Sequence, residues 1–184
     1  TFVAWSNILA TKGFANFYQG WSDYLPGYLY ILWFLGKVQK VLPGFPQLLL
    51  YKLPAILADV ITGFLIYKIL KRLKNKQWAL IGAGLYLFNP AVFANSTLWG
   101  QADSLTSFFS LFSVYLAGFN PILSGVLLAL GVVIKPQAAL AAPAIFLVAL
   151  RNKWKFRNYL AFIFLAFSIS VLAFFPFWNS GNFF

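Results

Sequence analysis

The sequence predicts an all-α fold, a polytopic transmembrane helical bundle with interfacial, juxtamembrane helices. Three observations carry this expectation. The chain is 61% hydrophobic and only 9% charged, with mean hydropathy +0.79, so its main solvent is lipid. Its apolar runs are separated by Gly, Pro and Asn-Pro breaks at helix-length intervals. Of the 14 Lys and Arg, most sit in two short blocks, Lys68 to Lys76 and Arg151 to Arg157, each between apolar runs as cytoplasmic membrane loops are.

The elements follow in order. Phe2 to Lys12 places Phe2, Trp5, Ile8 and Leu9 on one helical face and Ser6, Asn7, Thr11 and Lys12 elsewhere. Too short to span, it reads as an amphipathic helix in the interface, anchored by Trp5 and ended by Gly13. Phe14 to Asp23 is an aromatic loop at headgroup level, and Tyr24 to Leu42 a second helix before the Pro43, Gly44, Pro46 turn. Lys37 and Lys40 would lie deep in a short span, so this helix is expected to stay outside with Asp23. Residues 1–47 are then an external loop with interfacial helices, and 48–178 hold the transmembrane helices.

Leu48 to Leu70 makes a helix of about 34 Å, enough to cross a core of roughly 30 Å. It carries Lys52 near its start and Asp59 at its midpoint. The block Lys68, Lys71, Arg72, Lys74, Lys76 follows on the cytoplasmic side. Trp78 to Phe88 returns, breaks at Asn89-Pro90, and Ala91 to Leu98 completes the crossing. Trp99 to Ser104 emerges outside, and Ser104 to Phe119 leads back to a tight turn at Asn120-Pro121. Ile122 to Leu150 divides into two short helices joined at Lys135-Pro136-Gln137, because only that parity returns Arg151, Lys153, Lys155 and Arg157 to the cytoplasm. Each is about 20 Å long and must meet a thinned or water-filled outer vestibule. Tyr159 to Phe175 crosses last, ending at Pro176. No internal repeat stands out. With no Met, and with aromatic sequence at both ends, the 184 residues read as a fragment of one transmembrane domain of a longer protein.

Composition excludes much chemistry. The net charge of +11 invites nucleic acid, but the placement of the cations between apolar runs favours membrane lipids as the partner and no nucleic acid. The chain has no Cys and no His, which removes disulfides, thiolate sites, Ser–His nucleophiles and the commonest metal ligands. No cofactor and no metal-ligating residues are expected. A carboxylate step has only Asp23, Asp59 and Asp103 to draw on. Asp23 lies in a Trp21-Ser22-Asp23-Tyr24 run and Asp103 in Trp99-Gly100-Gln101-Ala102-Asp103. Both surroundings suit a sugar ring stacked on an aromatic face with its hydroxyls bonded to the acid and to Gln101. Helix capping is the alternative for each, Asp103 before a helix starting at Ser104 and Asp23 before the Pro26 helix. Asp59 at mid-span costs roughly 2.5 to 3.5 kcal/mol unless paired or wetted; a pair with Lys52, seven positions away on the same face, needs both side chains to lean together, and a buried hydrogen bond to another helix is the alternative. Lys135, at the mouth of two short helices with Gln137 beside it, is a candidate for a lipid-linked phosphate, with interfacial snorkelling as the alternative.

At these residues the chain resembles a family. The runs Asp23-Tyr24-Leu25-Pro26-Gly27-Tyr28-Leu29-Tyr30, Lys52-Leu53-Pro54 to Asp59, Asn89-Pro90-Ala91, Trp99 to Ser104 and Lys135-Pro136-Gln137-Ala138 are similar to the bacterial GPI-mannosyltransferase-like branch of the GT-C glycosyltransferases. The resemblance implies an integral enzyme of the bacterial-type plasma membrane that uses a polyprenyl-phosphate sugar and works on the non-cytoplasmic face. It implies Asp23 and Asp103 as catalytic candidates and Trp21, Tyr24, Trp99, Gln101, Lys135 and Gln137 as substrate-binding ones. Lys52 and Asp59 become structural or functional groups within the membrane. The family's usual catalytic Asp precedes a helix resembling Phe2 to Gly13, so it is expected before Thr1, with Asp23 at the second acidic position of that loop. The predicted function is transfer of a mannose-like hexose to an acceptor. The alternative is a secondary transporter or lipid-linked sugar flippase, suggested by the broken helices and by Asp59. A scaffold without a site would show no clustering of outer polar residues.

Overall fold

The computed structural model describes residues 1–20 and 22–180, and among them it is all-helical. Nine α-helices follow one another: α1 (Phe2–Lys12), α2 (Pro26–Val41), α3 (Gln47–Leu73), α4 (Lys76–Leu87), α5 (Pro90–Phe93), α6 (Asp103–Ala117), α7 (Pro121–Ile134), α8 (Ala142–Arg151) and α9 (Phe156–Phe174). Short tight turns of helix at Phe17–Gln19, Pro136–Ala141 and Phe175–Ser180, and a widened turn at Ala94–Trp99, complete the path. Two segments, Gln47–Leu73 and Phe156–Trp178, are long and apolar enough to cross a membrane, and Pro121–Ile134 and Pro136–Arg151 are shorter apolar helices. None of α9 is buried, and its Ile163, Phe164, Phe167 and Leu172 face outward, as a lipid-facing helix requires.

The starts of three helices follow from Asn. Asn75 accepts from the Trp78 amide at 3.0 Å, Asn89 from Ala91 at 2.9 Å and Asn120 from Leu123 at 3.1 Å, each satisfying an amide that the first turn leaves free. At Asn89-Pro90 and Asn120-Pro121 the proline then takes the first helical position, where its missing N–H costs nothing. The expected breaks at both places are therefore helix starts. α3 runs through Pro54 and on to Leu73, past the expected end at Leu70.

α7 packs between α6 and α9, α3 packs on α4 and α6, and α1 pairs with α2, which also touches α7. Ser113 on α6 and Ser124 on α7, both fully buried, bond each other's carbonyls reciprocally at 2.7 and 2.9 Å. Such paired hydroxyls hold helices together where lipid offers no polar alternative. The main core joins α1, α2, α3 and the start of α6 through Leu9, Tyr28, Leu29, Leu32, Leu50 and Tyr51.

Three expectations are corrected by the fold. The inner face of α1 is Trp5, Ser6, Leu9 and Ala10, while Ile8 is exposed. Ser6 turns inward because α2 presents Gly36, where a Cβ would stand 2.5 Å from the Ser6 hydroxyl and 2.8 Å from its carbonyl. The hydroxyl donates to the Leu32 carbonyl at 2.7 Å and accepts from Tyr51 at 2.6 Å. Trp5 is not a membrane anchor but is buried against Phe2, Phe17 and Tyr24. Of the two alternatives for Asp59, the bond to another helix is the one formed: Asp59 accepts from the Tyr86 hydroxyl of α4 at 2.8 Å, while Lys52 Nζ donates to the Leu98 carbonyl at 3.1 Å. The segment after Asn89 is not one helix, since four residues of α5 give way to the widened turn Ala94–Trp99.

Candidate functional site

Lys135 owes its place to Pro136. The residue before a proline is driven out of the helical region, and Lys135 is extended at φ −145°, ψ 134°, ending α7 while its amide still bonds the Gly131 carbonyl at 2.9 Å. Gln101 is placed by a second backbone device. The widened turn lets the Asn95 carbonyl accept from both Gly100 N at 2.9 Å and Gln101 N at 3.0 Å. The chain then reverses through Gly100 at φ +76°, a conformation glycine adopts without strain. Lys52, bonded to Leu98, braces the same turn.

These devices bring distant residues together. Lys135 Nζ pairs with Asp103 Oδ1 at 2.5 Å and lies 5.3 Å from the centre of the Tyr24 ring. The Tyr24 hydroxyl donates to Gln101 Oε1 at 2.8 Å. Tyr24 is itself held by Tyr18, whose hydroxyl donates to the Tyr24 carbonyl at 2.9 Å, and by edge contacts with Phe2 and Trp5. Around them opens a cavity of about 540 Å³ lined by Asp23, Tyr24, Trp99, Gln101, Lys135 and Gln137, with Thr1, Phe2, Trp5, Ile134 and Pro136 completing the wall. Asp103 is not on the wall and reaches the cavity only through Lys135. Trp99 is 77% exposed, so its face is free to meet a ligand.

The electrostatics are coherent. Burial alone would lower the Lys135 ammonium, but the Asp103 carboxylate and the Tyr24 hydroxyl more than reverse it, and its pKa is raised. Burial raises the Tyr24 phenol against the opposing pull of Lys135, so Tyr24 stays neutral and keeps donating. Lys135 is the cation on the cavity wall and Asp23 its carboxylate. Among the described residues Asp23 has no ion pair.

Neither acid caps a helix. The α6 cap position is Ala102 and Asp103 is the first residue of the helix, where its charge meets the positive end of the helix dipole. The α2 cap position is Leu25, with no side-chain bond. Trp21 lies outside the described residues. Asp59 and Lys52 are not on the cavity wall. Among the described residues no group of three or more acidic side chains could hold a metal ion. Phe2, Trp5 and Ile134 were not legible as wall residues, because the aromatic face of α1 gives no sign of turning onto Tyr24 rather than into lipid.

Residues 26–179 match the profile of a family described as dolichyl-phosphate-mannose-protein mannosyltransferase. No curated protein and no solved structure matches the chain. The match runs from the first residue of α2 past the end of α9, and the chain belongs to that family, a membrane glycosyltransferase family of mannosyltransferase type.

Proposed function

We propose, from that membership, that the cavity takes a mannose-like hexose linked through phosphate to a polyprenyl carrier and transfers it to an acceptor hydroxyl on the non-cytoplasmic face of a bacterial-type plasma membrane. The observation that carries this reading is the Lys135 ammonium on the cavity wall, fixed by Asp103 and Tyr24. A cavity of about 540 Å³ lies within the span of roughly 300 to 1,000 Å³ common for small-ligand sites. Its wall offers aromatic faces at Trp99 and Tyr24, amides at Gln101 and Gln137, one cation and one carboxylate, which is the inventory a phosphosugar needs.

The chemistry is a displacement. The acceptor oxygen forms a bond to the anomeric carbon while the bond from that carbon to the phosphate oxygen breaks. The acceptor proton passes to a carboxylate, for which Asp23 is the wall residue, and the electron pair leaves with the lipid phosphate. Lys135 stabilises that charge as it develops, and Asp103 positions the lysine without touching substrate. In this reading residues 1–47 form the outer loop whose helices roof the site, and residues 48–178 hold the transmembrane helices with the loops that join them.

Two of the features that suggested transport do not reach the cavity, since Asn89 caps α5 and Asp59 bonds Tyr86, whereas the break at Lys135-Pro136 lines it. The test is Lys135→Gln in the full-length enzyme. Loss of phosphate binding lowers transfer by roughly 10- to 1000-fold, about 1.4 to 4 kcal/mol of transition-state stabilisation. A snorkelling lysine leaves turnover within about twofold. Turnover at saturating acceptor and varied donor separates the two, and an unchanged rate removes the phosphate role.

A further inference from the structure

At the end of α3 opposite the cavity, Phe64, Tyr67, Lys68, Lys71 and Arg72 recur at the spacing of one helix face and line a groove of about 530 Å³. α4 packs elsewhere on α3, through Gly63 and Leu70, so this face is left open. Its cations are pinned on aromatic rings. Lys68 Nζ stands 4.8 Å from the Phe64 ring centre, Lys71 Nζ 5.8 Å from Tyr67, and the Arg72 guanidinium 4.6 Å from Phe119 at the turn between α6 and α7.

Among the described residues no acid pairs with them. The one ion pair among the described residues is Lys135 with Asp103, at the other end. The nearest acid along α3, Asp59, is about 13 Å up the axis and already bonded to Tyr86. Three positive charges within one and a half turns repel one another unless an anion lies between them. Lys71 is about 28 Å along the helix from Lys52, roughly the thickness of a hydrocarbon core, so the groove sits at the opposite membrane surface from the cavity.

We propose that this groove is a binding site for an anionic phospholipid. The headgroup phosphate sits among Lys68, Lys71 and Arg72, and the upper acyl chain lies along Phe64 and Tyr67, one turn deeper. The sequence suggests only diffuse attraction of a basic block to an anionic surface. The structure distinguishes Lys68, Lys71 and Arg72, fixed on rings, from Lys74 and Lys76 beyond the groove. This site does not depend on the proposed transfer reaction.

The test uses the full-length protein in phosphatidylcholine vesicles holding a small share of spin-labelled phosphatidylglycerol, with the motionally restricted fraction read by electron spin resonance. The wild type should hold the anionic label several-fold more strongly than a phosphatidylcholine label. The double substitution Lys71→Gln, Arg72→Gln should bring that preference close to one, since each cation near the surface contributes roughly fivefold. Lys71→Arg with Arg72→Lys, which keeps both charges, should retain it and shows that the fold tolerates change there. Lys153→Gln with Lys155→Gln removes the same charge from the other basic block and should leave it intact. Equal losses from the two charge-removing pairs overturn the site in favour of diffuse attraction. Displacement of the label by inorganic phosphate at constant ionic strength overturns the lipid as its occupant.

Discussion

Lys135 and Gly100 carry the account at the scale of single residues. The Lys135 pKa is raised, so its attraction for Asp103 and for a phosphate is fully present below the ordinary lysine value of about 10.4 and is lost as pH rises through the raised value. The donor KM should therefore be flat on this account from about pH 7 to 9 and climb only beyond about 10.5. In Lys135→Gln that high-pH climb should vanish. A pH series of donor KM in both proteins checks this, and a lysine-dependent climb centred below pH 9 contradicts it. Gly100 is tested by alanine. At φ +76° an alanine is strained by roughly 1 to 2 kcal/mol, and its Cβ would stand 3.1 Å from Lys52 Cγ. The turn must shift and carry Gln101 with it. Gly100→Ala should lower kcat/KM by roughly ten- to a hundredfold while the helical content by circular dichroism is unchanged. Normal activity would show that the turn does not place Gln101.

At the scale of elements, the contact between α1 and α2 depends on Gly36. A Cβ there meets the Ser6 hydroxyl and backbone at 2.5 and 2.8 Å, whereas one at Gly44 meets nothing within 4 Å. Gly36→Ala should cost about 1 to 3 kcal/mol, read as a lower midpoint of thermal unfolding in detergent, and Gly44→Ala should leave that midpoint unmoved. An equal response of the two sites would remove the close-packed seam. The same seam shows what a sequence can and cannot disclose. Gly13, the Pro43-Gly44-Pro46 turn, Asn89-Pro90, Asn120-Pro121 and Lys135-Pro136 all fall at element ends, because proline's missing N–H and the cap chemistry of Asn are local and act before any packing. The inward turn of Ser6 is decided by a glycine thirty positions away, and the partner of Asp59 by a tyrosine on the next helix. The widened turn at Ala94–Trp99 has no signature in its residue types. Tyr24, Gln101, Asp103 and Lys135 were legible one by one as polar or aromatic residues next to helix breaks. Their mutual bonds were not, since an ion pair across 32 positions is set by how α6 and α7 pack.

At the scale of the whole molecule, the account assigns the cavity and the basic blocks to opposite membrane surfaces. The chain has no Cys, so single cysteines report without background. Gln137→Cys and Lys153→Cys, both at exposed positions, should react with an impermeant thiol reagent from opposite sides, Lys153 from the cytoplasm. Labelling of both from one side would refute the assignment of faces. Whether the cavity beside Lys135 receives the lipid-phosphate sugar is decided by a photoreactive polyprenyl-phosphate hexose crosslinked to the full-length protein in membranes and mapped by mass spectrometry. Adducts are expected at Trp99 to Gln101 and Ile134 to Gln137, reduced at least tenfold in Lys135→Gln. Adducts confined to the groove at Gly84 to Pro90, or undiminished by loss of the Lys135 charge, would contradict it.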